Sequence, residues 1–131
     1  MNPEALLYAK THEWIHVDTG TKIATLGLSA FALELLTDLV YIDLPEAGRE
    51  VAAGETFGEV ESVKAVSDLY SPVGGTVLES NTEIADRLDT LADDPYEAGW
   101  LVKIQVTDDA GLADLLDHAA YKKQCEEESV D

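Results

Sequence analysis

The sequence predicts a mainly β fold, closed as a small barrel or sandwich, with one short internal helix and a helical C-terminal segment. Two observations lead there. Strand-like runs are short, closely spaced and separated by Gly/Pro turns such as Ser71-Pro72-Val73-Gly74-Gly75. Helical spacing of more than one turn is found in AFALELL after Ser29 and in the stretch beginning ADLLDHAAYKK.

The elements follow in order. From Glu13 to Leu28 the chain reads EWIHVDTGTKIATLGL, with β-branched and apolar residues on both sides of the turn cluster Asp18–Thr21. That pattern signals a β-hairpin. Ser29 is a suitable N-cap for the helix AFALELL, whose apolar side is expected at Phe31, Leu35 and Leu36. LVYIDL is a strand stopped by Pro45 and the turn EAGRE. The centre holds the β-like runs TFGEVES, VKAVSDLY and TVLE, divided by turns. Residues 81–99 are irregular and polar, with one helical turn expected near Ile84 to Leu88, and WLVKIQV is a strand. Leu115, Leu116, Ala119 and Ala120 place one or two helices within about 109–128.

A chain of 131 residues suffices for one domain, 1–131, with its own core. No apolar run approaches the roughly 18 residues needed to span a bilayer. The N-terminus MNPEALLYAK has neither the order of a signal peptide nor the Arg-rich character of a transit peptide. A cytosolic protein, or one already processed, is expected. Eight basic residues stand against 27 acidic ones, for a net charge of −19. Such a surface repels nucleic acid and anionic lipid. It suits docking onto proteins with basic clefts, although solubility alone would also account for it. Cys125 is the only cysteine, so no internal disulfide can form, and nothing near it in sequence supplies the base that a nucleophile needs.

His12-Glu13-Trp14-Ile15-His16 matches the H-E-x-x-H zinc signature. That motif works on a helix, where i, i+4 spacing stacks two imidazoles on one face. Here the residues run into a turn and a second β-like segment, and on a strand four residues cover about 13 Å. The only other histidine, His118, lies in the C-terminal segment. No metal site is expected from this pattern.

Two strand-like runs meet near Val63-Lys64-Ala65 without Gly, Asn or Pro, which puts one lysine at the tip of a hairpin. An exposed hairpin lysine is most often a solubilising residue, so the turn alone assigns nothing.

The surrounding residues go further. GEVESVKAVSDLYSPVGGTV resembles the lipoyl-attachment hairpin of the glycine cleavage H-protein family, here about 57–71. THEW, ATLGLS, VYIDLPEAG, DPYEAGWLVKI and AYKKQCEEE fit the same family, in the same order, over nearly the whole chain. The resemblance implies a barrel-sandwich hybrid of the lipoyl/biotinyl-carrier kind and lipoate in amide linkage on Lys64. Val63 and Ala65 replace the methionines of a biotin carrier, and Val63 departs from the Asp-Lys-Ala of 2-oxoacid dehydrogenase domains. Glu61 matches the acidic position associated with recognition by the lipoylating enzyme; an ordinary exposed strand residue is the alternative.

The bare chain shows no Ser/His/Asp set, phosphate loop or metal cluster with workable spacing, and a carrier needs none. By resemblance it shuttles an aminomethyl group from the pyridoxal-phosphate glycine decarboxylase to the aminomethyltransferase, and a dithiol to dihydrolipoamide dehydrogenase. An H-like protein that relays lipoate to other complexes remains the alternative. The resemblance places the loaded arm in a cleft at Thr11, Glu13 and Asp68, which could equally be solvated strand-end residues. It implies a cytoplasmic bacterial protein, or a mitochondrial-matrix one if processed. Thr37-Asp38, Ala92 and the longer turn Asp18–Thr21 depart from the family pattern, away from the lysine hairpin.

Overall fold

The computed structural model describes residues 2–36 and 38–128; Thr37 of the departing pair lies outside the described residues. Among the described residues nine strands form: β1 (Leu7–Tyr8), β2 (Glu13–Asp18), β3 (Ile23–Leu28), β4 (Leu39–Asp43), β5 (Glu50–Val51), β6 (Thr56–Ser62), β7 (Val66–Tyr70), β8 (Gly74–Ser80) and β9 (Val102–Asp108). Helices are α1 (Ala30–Leu36), α2 (Leu88–Asp93) and α3 (His118–Glu128), with 3-10 turns at Pro3–Ala5, Thr82–Asp86 and Ala110–Asp114.

The strands make two antiparallel sheets, ordered β1-β2-β3-β9-β8-β5 and β4-β6-β7. This is the mainly β sandwich that the sequence predicts. Period-two alternation explains why the sheets face each other. Ala24, Leu26 and Leu28 of β3 point inward to meet Ile42, Val60 and Leu69 of the smaller sheet, all buried in one core. Each such aliphatic side chain larger than alanine contributes about 1.5–3 kcal/mol when taken from water.

The first hairpin forms as expected, Asp18 pairing with Ile23. Asp18 Oδ1 accepts from the backbone N–H of Gly20 at 2.9 Å, which explains the turn chemistry. Ser29 caps α1, its Oγ accepting from Ala32 N at 3.2 Å. The buried face of α1 differs from expectation: Ala32 and Leu33 are buried, while Leu35 is 52% exposed. In a two-turn helix where Glu34 is the one polar residue, the pattern is too short to select the inner side among its leucines.

Residues 81–99 hold more helix than expected, a 3-10 turn at Thr82–Asp86 and then α2. The expected helical segment at about 109–128 forms in two pieces, with Leu115 and Leu116 outside both. A 3-10 turn at Ala110–Asp114 is followed by a break, and α3 begins only at His118. Leu116 leaves helical geometry because its backbone exchanges two 2.8 Å hydrogen bonds with Tyr8. Asp117 then caps α3 by accepting from Ala120 N at 2.8 Å. No helix of the described residues is long and apolar enough to cross a membrane.

The helix α3 seals a second, aromatic cluster of Leu6, Tyr8, Trp14 and Tyr121, joined by Tyr96, Trp100 and Cys125. Tyr8 and Tyr121 stack at 4.3 Å between ring centroids. Trp14 lies flat over Gly27, its register partner, and donates to Pro95 O at 3.0 Å. A β-carbon on Gly27 would stand 2.5 Å from the indole. Gly27→Ala must therefore push Trp14 aside, and the expected loss is about 1–3 kcal/mol, read as a lower denaturant midpoint at unchanged slope.

Candidate functional site

The tip between β6 and β7 is only three residues long, Val63, Lys64 and Ala65. It lacks the glycine or asparagine of common hairpin turns and is closed instead by Ser62. Ser62 N donates to Ala65 O at 2.8 Å, and the Ser62 hydroxyl accepts from Ala65 N at 3.1 Å. Val63 N donates to Asp38 O at 2.9 Å, fastening the tip to the segment before β4. Val63 is 72% exposed and Val66 60%. Lys64 is exposed, and its ammonium meets no hydrogen-bond or ion-pair partner among the described residues. The backbone is pinned on three sides while the lysine is left free.

Glu61 lies beside this tip on the outer face of the smaller sheet. Its neighbours across the strands are Tyr41 of β4 and Val66 of β7, both half or more exposed. One row further along, Glu59 stands between Asp43 and Asp68. Asp68 is exposed, three residues or about 10 Å beyond Ala65 along β7.

At the far end of β7 a groove of about 590 Å³ opens. Lys10 and Thr11 form one wall, Tyr70, Ser71 and Pro72 another, and Asp114 supplies a carboxylate. Gly111 packs so tightly on Pro72 that a β-carbon there would overlap its carbonyl oxygen. The Ala110–Asp114 turn thereby sits directly against the groove.

Glu13 does not line this groove, as a cleft wall would. It is 1% exposed and stands behind Thr11, bridging the two sheets. The Thr11 hydroxyl donates to Oε1, and Tyr70 N donates to Oε2 at 3.3 Å. Burial pushes the carboxyl up to about 7, against the opposing pull of the Thr11 hydroxyl and the Tyr70 amide, both of which favour the anion. Near neutrality the group is thus poised between its two forms. The structure brings Thr11 and Glu13 into contact, joins them to Tyr70, and leaves Asp68 two residues away on the same outer side of β7.

The HEWIH histidines occupy different surroundings. Glu13–Asp18 is a strand, and His12 precedes it in a left-handed conformation with φ 82°. His16 is exposed beside a second groove lined by Leu7, Val17 and Thr19. His118 lies 6.0 Å from the Tyr8 ring. Sequence reasoning missed Ser62 and Tyr70. For Ser62, the absence of any turn former at the tip was the available signal; Tyr70 acts through its backbone and left none.

A family profile described as Glycine cleavage H-protein matches residues 6–128. The chain is 55% identical over 128 residues to a glycine cleavage system H protein of Rhodopirellula baltica, covering 96% of each. It is 45% identical over 126 residues to that of Carboxydothermus hydrogenoformans, covering 96% of this chain and 95% of the other. Among solved structures, a glycine cleavage system H protein from Mycobacterium marinum superposes with a TM-score of 0.85 at 42% identity, covering 94% of this chain and 98% of that one.

The raised carboxyl has a consequence for stability. Folded Glu13 holds its proton to about 7 and the unfolded residue only to about 4.5, so between these values the folded state binds more protons. Stability falls as pH rises through that window, by on the order of 3 kcal/mol from this residue. Glu13→Gln should remove this component: denaturant midpoints of parent and variant, followed from pH 4.5 to 8, should converge or cross in the variant's favour. Parallel curves would contradict the assignment.

Proposed function

The chain belongs to the glycine cleavage H-protein family, and from that premise we propose that Lys64 is the point of lipoate attachment. Its role is that of the lipoyl-bearing shuttle of the glycine cleavage system, a carrier component. The observation that supports Lys64 most directly is the combination of a free, exposed ammonium with a pinned tip. An enzyme acylating a lysine needs the amine undirected by other partners and the backbone in a defined place. Ser62 and the Asp38 carbonyl provide the second condition.

When attached, the dithiolane supplies the sulfur that bears the aminomethyl cargo and the dithiol that is afterwards reoxidised. The rest falls to this chain's own residues. Lys64 tethers the arm and keeps its effective concentration high only near this surface. Glu61, between Tyr41 and Val66, gives the lipoylating enzyme an acidic mark within an apolar rim. Asp68 lies on the path from the tip to the groove, and Thr11 stands on the groove wall. A cationic cargo arriving there would meet the Thr11 hydroxyl with the Glu13 carboxylate behind it. The charge-assisted hydrogen bonds would hold the amine and keep water from it.

The partners in this reading are glycine decarboxylase, the aminomethyltransferase, dihydrolipoamide dehydrogenase and the lipoylating enzyme. A net charge of −19 favours fast, salt-sensitive encounter with basic surfaces on them. The bacterial relatives favour the cytoplasm over the mitochondrial matrix.

Coexpression with a lipoylating enzyme should add one lipoyl group by intact mass, mapped to Lys64 and absent from Lys64→Arg. An unmodified protein, under conditions that modify a control lipoyl domain, would overturn the assignment. Ser62→Ala should keep Lys64 but slow its modification several-fold, at a stability cost of about 1 kcal/mol. An unchanged rate would mean that tip geometry is not read.

A further inference from the structure

The backbone at His12 holds a conformation that a β-carbon disfavours, φ 82°, between Thr11 on the groove wall and the buried Glu13 behind it. In a fully extended chain positions 11 and 13 would be spaced by roughly 7 Å. The left-handed residue between them folds Thr11 back so that its hydroxyl donates to Glu13. Such a turn persists only where its surroundings over-determine it.

Those surroundings come from α3 and the start of α1. His12 N donates to Ala9 O at 2.9 Å and Ser29 N donates to His12 O at 3.0 Å. The imidazole points away from the groove, with Nδ1 2.7 Å from the Tyr121 hydroxyl and Nε2 3.3 Å from Glu128 Oε2. The Ser29 hydroxyl lies 2.5 Å from the same Tyr121 oxygen. With a neutral imidazole, one proton arrangement satisfies every member. An ionised Glu128 only accepts, so Nε2 carries the hydrogen and Nδ1 accepts from Tyr121. Tyr121 then accepts from Ser29, whose oxygen also accepts from Ala32 N. Gln124 of α3 adds a hydrogen bond to Lys10 O at 3.0 Å, one residue before Thr11.

We propose that His12 is the positioning residue of the groove, clamping a left-handed backbone turn onto the C-terminal helix and so holding Thr11 against Glu13. Its side chain touches neither the arm nor the cargo; it acts through the backbone. The inference rests on the groove reading above, and it gives the first histidine of HEWIH a task unrelated to metal.

The test uses the full-length unlipoylated protein and follows the Glu13 carboxyl carbon by NMR across pH. The wild-type midpoint is expected at about 7. His12→Ala and Tyr121→Phe should let water reach Glu13 and lower its midpoint by about one unit or more. His12→Asn should stay close to wild type, because Asn tolerates positive φ and its amide can replace Nδ1 as the Tyr121 partner. Should His12→Ala not fold, Tyr121→Phe against wild type decides the matter. Wild-type midpoints in every folded variant would overturn the proposal. On lipoylated protein, aminomethyl release should be several-fold faster in Tyr121→Phe than in wild type, and equal rates from a protected wild type would also overturn it. A wild type releasing as fast as a free lipoamide adduct would instead remove the groove reading, leaving the Glu13 titration to judge His12 independently.

Discussion

A carboxyl group buried where the two sheets meet sets the conditions for the rest of this molecule. Glu13 belongs to the six-stranded sheet and accepts from Tyr70 on the edge strand of the three-stranded one. An isolated carboxylate in such a place would cost several kcal/mol; burial moves its titration toward neutrality, and the surrounding donors oppose that shift. The Thr11 hydroxyl, the left-handed turn at His12 and the Tyr70 amide at the end of β7 are the parts of that environment.

The hairpin that ends in Lys64 solves the opposite problem. A tether rooted at Lys64, as proposed, would sweep a wide volume, yet its root would have to be found in one geometry by the enzymes that use it. Rigidity is therefore placed in the backbone, through Ser62 and Asp38, and freedom in the side chain. The inward row Ile42, Val60 and Leu69 anchors both strands in the core. The outward row presents Tyr41, Glu61 and Val66. Packing and display are thus divided by a period of two, with no residue asked to do both.

That division also decides what was legible in the sequence. Strands, hairpin turns and the Ser29 cap follow from alternation and from side-chain hydrogen bonding, both local, and the sequence shows them. The lysine hairpin stands out because a turn without turn formers is unusual, and the family resemblance gives it a role. What was hidden is long-range. The inner face of α1 is selected by the core and not by its own pattern. The break at Leu116 exists because Tyr8, over a hundred positions earlier, offers it a better partner than the next helical turn. Burial of Glu13 was equally invisible, since a glutamate beginning a strand reads as exposed until β7 is laid across it.

The placement of Glu13 has a thermodynamic consequence for any cation that enters the groove. A positive charge beside Thr11 favours the carboxylate and draws off the proton that burial retains. By reciprocity, whatever favours the carboxylate must strengthen retention of the cation by the same factor. The proposed retention site would therefore be adjustable: below about 7 the carboxyl is mostly protonated and would offer a weaker partner, and above it the anion is present at the cost of some fold stability. A surface carboxylate with an ordinary titration would hold its charge throughout and would be screened by water and salt. Burial makes each hydrogen bond to the cargo stronger, and it makes the fold sensitive to whether that cargo is present. In the proposed reading, a carrier holding its load between enzymes would draw on both effects, and the turn at His12 would matter because it keeps Thr11 on Glu13.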